Sequence, residues 1–207
     1  MRTNVYVDGF NLYYGSLRNT KYRWLNLELL FQFLLPGHAI QDIKYYTALV
    51  RARPNNPSQP LRQQVYLRAL STLPKVSIHL GHFLVHEVNM PVAVKAGQAQ
   101  HYVKVIKTEE KSSDVNLATH MLHDAHRDRF DVAVVVTNDS DLLEPIKIVR
   151  REIGKKVGLI NPHKRISHAL LPHTDFIKSI RQGVLQHSQF EDCLVDAKGV
   201  FSKPSEW

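Results

Sequence analysis

The segment at residues 131–145, DVAVVVTNDSDLLEP, is the strongest indication of the fold. Its apolar run, Val132–Val136, is followed almost at once by Asp139 and Asp141. An unbroken apolar run of this kind is typical of a strand buried on both faces, such as a central strand of a parallel sheet. Residues 3–7 repeat the arrangement, because a short apolar-rich segment leads there directly into Asp8. We therefore predict two buried strands that each end in a carboxylate.

Strand and helix patterns alternate along most of the chain. From the spacing of apolar residues and the positions of Pro and Gly, we predict strands at 40–50, 76–80 and 156–160, helices at 25–35, 61–73, 112–126 and 140–152, and a short helix with a last strand at 170–180. Such alternation indicates an α/β fold, in which a central parallel sheet is covered by helices on both faces.

Two segments depart from this alternation. Residues 81–107 alternate apolar and polar side chains around a Pro- and Gly-containing centre, which predicts a β-hairpin-like insertion. We assign residues 1–183 to one domain that contains this insertion, and residues 184–207 to a C-terminal tail. From about residue 187 we expect this tail to be loosely ordered. Either the insertion or the tail could clamp a substrate or contact a second copy of the chain in a homodimer.

Composition points to a soluble protein with a polyanionic partner. The chain has 207 residues, a net charge of +8 and one cysteine, Cys193. The positive charge suggests nucleic acid as the partner, although solubility alone is an alternative explanation. No apolar run approaches the roughly 20 residues of a membrane span, so we expect no membrane partner. A single cysteine and the lack of a signal-peptide pattern favour the cytoplasm.

The predicted acidic side chains converge on one edge of the sheet. Asp8 and the pair Asp139 and Asp141 follow strands directly, and Asp114 begins the helix that Ser112 or Ser113 can cap. The carboxyl ends of parallel strands meet at one edge, where open α/β sheets form their sites. Each acid alone could be a turn residue or a helix cap. Together they predict an all-oxygen site for a hard cation, Mg²⁺ or Mn²⁺.

Three sequence blocks carry a resemblance to a known family. VYVDGFNLYYG, KSSDVNLATHMLHDA and FDVAVVVTNDSDLLEPI are similar, in order and spacing, to the signature blocks of the NYN domain, a family of the PIN-like nuclease superfamily. The resemblance spans roughly residues 3–180. It implies a Rossmann-like three-layer α/β/α fold and a Mg²⁺- or Mn²⁺-dependent ribonuclease.

The resemblance also assigns roles to individual residues. Asp8, Asp114 and Asp139 would hold the metal, with Asp141 as a fourth carboxylate, and Asn11 would orient a water or a substrate phosphate. Lys111 matches a lysine frequent in the family, with a phosphate or a solvated helix start as its two explanations. Thr137 and Asn138 stand where many members carry Ser and Gly, which changes the turn without removing a carboxylate.

RNA contacts are predicted from charge and aromaticity at segment ends. Arg51 and Arg53 follow a predicted strand, and Lys164 and Arg165 lie in a later loop, so these four could bind the RNA backbone. Tyr13 could stack on a base, or pack beneath a helix instead.

Other functions are alternatives to the ribonuclease. A catalytically inactive RNA-binding or regulatory module on the same fold is the main alternative. A phosphatase of the haloacid-dehalogenase type would need a second Asp two residues after the first, where this chain has Phe10. The 12 histidines lack the spacing of a zinc site.

Overall fold

The computed structural model describes residues 1–52, 54–94, 97 and 99–207. Seven strands form the main sheet: β1 Arg2–Asp8, β2 Ala39–Ala48, β3 Val76–Pro91, β4 Tyr102–Lys111, β5 Val132–Val136, β6 Lys156–Asn161 and β7 Phe176–Ser179. Their spatial order is β4-β3-β2-β1-β5-β6-β7, and all pairs except β3–β4 are parallel. The predicted α/β class is therefore confirmed.

Helices cover both faces of this sheet. They are α1 Gly9–Leu12, which continues as a π-helical turn Tyr13–Leu17; α2 Leu27–Leu34; α3 Gln59–Leu70; α4 Ser113–His126; α5 Leu143–Lys147, between a 3-10 turn Ser140–Leu142 and a π-helical turn Ile148–Glu152; and α6 Gln182–His187. A further 3-10 turn is Leu171–His173. Within the described residues no helix is long and apolar enough to span a bilayer.

The strand β1 shows how the two hydrophobic cores are separated. Successive side chains of a strand point to opposite faces, and Val5 and Val7 pack with α2 and α3 on one face. Tyr6 packs with Met121 of α4 on the other face. Because both faces are covered, β5 is buried along its whole length, as its apolar run predicts.

The chain order creates a switch point at the centre of the sheet. It proceeds outward from β1 to β2 and β3, then crosses back to β5 on the other side of β1. Loops after β1 and β5 therefore diverge in opposite directions and leave a crevice between their carboxyl ends. Asp8 ends β1, and Asp139 lies just beyond β5.

The insertion differs from the prediction in its boundaries. The strand predicted at 76–80 does not stop there, because β3 continues without interruption to Pro91. Its first part pairs in parallel with β2 up to Gly81, and its second part pairs antiparallel with β4 from His82 onward. The insertion is thus an arm, defined here as residues 82–91 and 102–111, that extends an existing strand. A strand can pair on different edges along its length, so no turn is needed at Gly81.

The start of α4 also differs from the prediction. Ser112 has a positive φ of 84° and its side chain makes no capping hydrogen bond. Instead, the backbone N–H and hydroxyl of Ser113 donate to the carboxylate of Glu110, at 3.2 and 2.6 Å. The N-terminal amide of the helix is therefore satisfied by an acid from β4, and capping by either serine is wrong.

The prediction of a loosely ordered tail is wrong. Beyond α6, strands β8 Cys193–Asp196 and β9 Gly199–Ser202 form an antiparallel hairpin. Phe190 and Phe201 are buried, and the indole N–H of Trp24 donates to the Glu191 carbonyl at 2.9 Å. Scattered aromatic residues are enough to fix this segment because Trp24, itself fully buried, gives them an apolar surface to cover.

Candidate active site

A cleft opens at the carboxyl edge of the sheet, above the ends of β1, β2 and β5. Its volume is about 530 Å³. Three acids predicted from different parts of the sequence line it together: Asp8, Asp114 and Asp139. One wall is the base of the arm, including Phe83 and Glu110. The topology therefore brings three separate carboxylates to one concave surface.

Asp8 is the most buried of these acids and is held from two sides. Its Oδ1 accepts from the backbone N–H of Asn11 at 2.9 Å, so it caps the short helix α1. Its Oδ2 accepts from the Asn11 side-chain amide at 2.5 Å and from the Thr137 hydroxyl at 3.2 Å. Burial raises the pKa of Asp8, and these hydrogen bonds oppose that rise without cancelling it.

Asn11 connects the ends of three strands. Its side-chain oxygen accepts from the backbone N–H of Asn138 at 3.2 Å and lies 3.1 Å from Nε2 of His163. His163 follows β6, and Gly15 of the π-helical turn lies against it so closely that a Cβ there would be 2.9 Å from the imidazole. Asn11 is thus fixed by the loops after β5 and β6, while it holds Asp8.

Asp139 and Asp141 have different positions. Asp139 is half-buried in the cleft, and its Oδ1 accepts from the backbone N–H of Asp141 at 2.9 Å, which caps the 3-10 turn. The side chain of Asp141 is exposed and is absent from the described cleft lining. Its charge still acts on the cleft, since it contributes to raising the pKa of Asp114.

Asp114 shows how strongly the acids interact. Burial, followed by the charges of Asp8, Asp139, Glu110 and Asp141, raises its pKa to about 6 from a usual value of 3.8. Like charges in one cleft disfavour further ionisation. The cleft therefore holds concentrated negative charge.

The proposed RNA-binding residues are distributed unevenly. Arg51 lines the acidic cleft directly. Lys164 and Arg165 are exposed in the loop after β6, and Arg165 accepts a hydrogen bond from Asn138 through its carbonyl. Lys111 is exposed and lies 3.5 Å from the carboxylate of Glu109. Arg53 lies outside the described residues.

Tyr13 is half-buried rather than free to stack. It packs against the core beside α2 and α3, and its ring contacts that of Tyr14 edge to face at 5.3 Å. Tyr14 is 50% exposed and lines the cleft. The neighbouring tyrosine is therefore better placed than Tyr13 to meet a base at this edge.

Comparison with known proteins assigns the family. The model of the NYN domain matches residues 2–180, which is most of the chain. The chain belongs to the NYN domain family. The three sequence blocks that resemble the family supply the central strands and the acids at the carboxyl edge of the sheet.

Two individual proteins are similar to this NYN domain. The 6-hydroxy-3-succinoylpyridine 3-monooxygenase HspA of Pseudomonas putida (strain DSM 28022 / S16) is 30% identical over an alignment that covers 100% of this chain and 75% of that protein. A crystal structure of a protein of unknown function, VPA0982 from Vibrio parahaemolyticus RIMD 2210633, shares the fold. It superposes with a TM-score of 0.57 over 87% of this chain and 93% of its own, at 16% identity.

The donor chemistry of the cleft fits a hard divalent cation. Asp8, Asp114 and Asp139 supply only oxygen donors. Burial is the main cause of the raised Asp114 pKa, and a bound cation would relieve the charge repulsion that adds to it. In the described residues, no three His, Cys, Asp or Glu side chains already converge on one point at metal-binding distance. Mg²⁺ commonly takes one or two carboxylates and completes its shell with water, so full convergence is not required.

Sequence reasoning missed several residues of this NYN domain site. Glu110 lies in a segment whose alternating apolar and polar residues indicate only an exposed β-hairpin. The pairing register of β3 and β4 places it at the cleft, and the sequence does not specify that register. Thr137 was noticed as a departure from the family pattern, without its hydrogen bond to Asp8. The contact of His163 with Asn11 joins residues 152 positions apart, and no sequence signal points to it.

Proposed function

We propose that this NYN domain is a metal-dependent ribonuclease that hydrolyses RNA phosphodiester bonds. The observation that carries the proposal is the shared cleft of Asp8, Asp114 and Asp139, in which burial and then the neighbouring carboxylates raise the pKa of Asp114 to about 6. Acids that repel one another in a concave site are characteristic of sites built for a catalytic cation. The family assignment supports the same conclusion.

The three acids would hold Mg²⁺ or Mn²⁺, with Asp141 at the rim as a further carboxylate. When bound, such a cation activates water and stabilises the negative charge of a phosphoryl transition state. Asn11 and Thr137 orient the carboxylate of Asp8, and this support limits its rotation. Arg51 lines the same cleft and would bind a phosphate of the substrate there.

RNA is the substrate class that the remaining surface supports. The net charge of +8 favours a polyanion in spite of the local acidic cleft. Lys164 and Arg165 extend the positive charge along the same edge of the sheet. Exposed Tyr14 and the Phe10 ring at the cleft suit unpaired bases, which stack on aromatic side chains.

The test is cleavage of end-labelled single-stranded RNA in the presence of Mn²⁺, Mg²⁺ or EDTA. Wild-type protein is compared with Asp8→Asn and with Asp42→Asn, which changes an exposed acid of β2 outside the cleft. We expect metal-dependent cleavage that Asp8→Asn abolishes and Asp42→Asn retains. RNA binding without cleavage by any of the three proteins would instead support the inactive RNA-binding module.

A second candidate is hydroxylation of a heteroaromatic ring, favoured by the 30% identity to a monooxygenase over the whole chain. A monooxygenase puts one atom of O₂ into its substrate and reduces the other to water with two electrons from a donor such as a reduced nicotinamide. Phe10, Tyr14 and Phe83 could flank a planar ring in the cleft. Consumption of O₂ and NADH that depends on 6-hydroxy-3-succinoylpyridine, with no cleavage of RNA, would favour this candidate.

A further inference from the structure

A second groove adjoins the acidic cleft. Four residues line both: Phe10, Tyr14, Val50 and Gln59. The groove lies between α1, the end of β2 and the start of α3, and has a volume of about 120 Å³. Drug-sized ligands occupy sites of roughly 300–1,000 Å³, so this groove is suited to a single ring rather than to a larger molecule. A strand that crosses the cleft could place one ring here.

Aromatic side chains form the walls of this groove. Besides Phe10 and Tyr14, the rings of Tyr13, Tyr66 and Trp207 line it. Tyr66 and Trp207 lie edge to face at 5.9 Å, and the guanidinium of Arg23 lies 5.7 Å from the Trp207 ring. Rigid aromatic walls of this kind favour a flat ligand, because planar rings can stack on them with little loss of conformational freedom.

Three residues that line the groove carry polar side-chain groups without a hydrogen-bond partner among the described residues. Tyr45 is only 7% exposed, yet its hydroxyl makes no hydrogen bond to any described residue. Thr47 is 2% exposed and likewise lacks a side-chain hydrogen bond among the described residues. Nε of Arg23 is buried and has no hydrogen-bond partner among the described residues. Buried polar groups normally have partners, so the unpaired Nε of Arg23, together with two free hydroxyls that line the same groove, provides hydrogen-bonding groups for a ligand.

Tyr45 lies where the groove meets the turn that contains Asp8 and Gly9. A Cβ on Gly9 would lie 2.8 Å from the Tyr45 hydroxyl, so the absence of a side chain at Gly9 gives that hydroxyl its place beside Asp8. A ligand that bonds to Tyr45 would therefore sit next to the residue that begins the acidic cleft. The distance from base to phosphate within one nucleotide is short enough to bridge such neighbouring sites.

We propose that this groove is a nucleobase subsite, which takes one unstacked base of the RNA strand beside the cleaved phosphate. The aromatic walls stack on the ring, and Tyr45, Thr47 and Arg23 pair with its polar edge. The subsite would give the enzyme a base preference at one position next to the cut. This inference rests on the proposed ribonuclease function for its substrate, but its binding test does not require cleavage.

The test is binding of each of the four nucleoside monophosphates in EDTA, measured by ligand-observed NMR, with ribose 5-phosphate as the probe without a base. Tyr45→Phe removes only the unpaired hydroxyl, and Thr47→Val keeps the shape of its side chain. We expect at least one nucleotide to bind more tightly than ribose 5-phosphate. Either substitution should weaken that binding about fivefold, as expected for one lost hydrogen bond.

The control is Tyr22→Phe, a tyrosine of similar burial at 6% exposed whose hydroxyl accepts from Gln182 outside the groove. It should bind nucleotides as the wild type does. Equal binding of nucleotides and ribose 5-phosphate would overturn the proposal, as would unchanged binding by both Tyr45→Phe and Thr47→Val. Tighter binding of 6-hydroxy-3-succinoylpyridine than of every nucleotide would overturn the nucleobase assignment.

The two proposals can fail separately. Nucleotide binding with the expected variant pattern, together with no RNA cleavage in Mn²⁺ or Mg²⁺, would leave the subsite and remove the ribonuclease. Conversely, the protein could cleave RNA but bind no nucleotide, and Tyr45→Phe could leave any base preference of the cleavage unchanged. That result would support the ribonuclease and exclude the subsite.

Discussion

Asn11 holds the carboxylate of Asp8 with two hydrogen bonds, one to each oxygen, at 2.9 Å from its backbone and 2.5 Å from its side chain. The same side chain accepts from the loop after β5. Asp8 is therefore oriented by a residue that is itself fixed by a neighbouring strand end. Supporting interactions of this kind set how well a carboxylate binds a cation.

Replacing Asn11 with Ala should weaken metal binding while the protein still folds. Loss of the side-chain amide frees the Asp8 carboxylate to rotate and raises its pKa further, since this hydrogen bond lowers it. We expect Mn²⁺ affinity to fall by about 10- to 100-fold, measured by isothermal titration calorimetry. Asn19→Ala, at an exposed position, is the control. Equal affinities for Asn11→Ala and wild type would show that Asp8 needs no such support.

Asp114→Asn should stabilise the metal-free protein at neutral pH. The folded state raises the pKa of this carboxyl to about 6 from 3.8, so its ionisation between those values favours the unfolded chain. The wild type thus loses stability as the pH rises from about 3.8 to about 6, and the variant does not. Since Asp114 is half-exposed, we expect a gain of about 1 kcal/mol at pH 7.5 after allowing for solvent screening.

Thermal melts in EDTA at pH 3.5 and 7.5 check the sign of this effect. The variant should melt higher than the wild type at pH 7.5, and the difference should be much smaller at pH 3.5, where the carboxyl is mostly protonated in both states. A variant that melts lower at pH 7.5 would mean that Asp114 is stabilised by contacts rather than strained by its neighbours.

Asp124 should show the opposite pH dependence. It is fully buried on α4, away from the cleft, and accepts from Tyr6 at 2.7 Å, from Arg129 at 3.0 Å and from Lys44. Burial opposes its ionisation, but these donors outweigh burial and lower its pKa. The resulting stability is present above the unfolded pKa and is lost as the pH falls below about 3.8.

Asp124→Asn should therefore destabilise the fold without touching the site. The change leaves the nearly buried ammonium of Lys44 without its counter-charge, which costs about 3–5 kcal/mol when a buried pair is broken. Urea unfolding at pH 7 measures the loss, and Asp42→Asn serves as the exposed control. The same urea midpoint for Asp124→Asn and wild type would mean that the buried ion pair contributes nothing net.

Gly81→Ala should disturb the cleft from the outside. An added Cβ would lie 2.4 Å from Oε1 of Glu110 and 2.5 Å from the Lys111 carbonyl, so the arm must shift. We expect a loss of about 1–3 kcal/mol from overpacking and reduced RNA cleavage, since Glu110 lines the cleft. Gly183→Ala, where a Cβ meets nothing within 4 Å, is the matched control and should be neutral or slightly stabilising. Unchanged stability and cleavage in Gly81→Ala would show that the arm yields freely.

The sheet and the convergence of its acids could be predicted because both follow from local pattern. A short run of β-branched residues such as Val132–Val136 is typical of a central strand buried on both faces, and parallel strands align their carboxyl ends. Asp8 and Asp139 then lie at one edge for topological reasons alone. Asp114 required one further assumption, that α4 begins at that edge, and the fold places it there.

The parts of the fold and of the site that could not be predicted depend on contacts between residues distant in sequence. Gly81 begins the predicted insertion, and no sequence pattern indicates why this position is a glycine, which is that the chain at the end of β4 passes close to its Cα. The last 20 residues look polar in sequence, yet Trp24 and Phe190 bring them into the core at a ring separation of 5.5 Å. The groove also needs Trp207 beside Tyr66, and no local pattern could indicate that pairing.

The continuity of β3 makes the length of the arm independent of the cleft. Pairing between β3 and β4 is fixed at the base, where His82 lies opposite Lys111, while the far end closes beyond Pro91 and Tyr102. Adding or removing residue pairs at that far end does not change the register at the base. Phe83 and Glu110 therefore keep their positions. The arm can therefore be lengthened or shortened, in evolution or by design, without a change to the cleft.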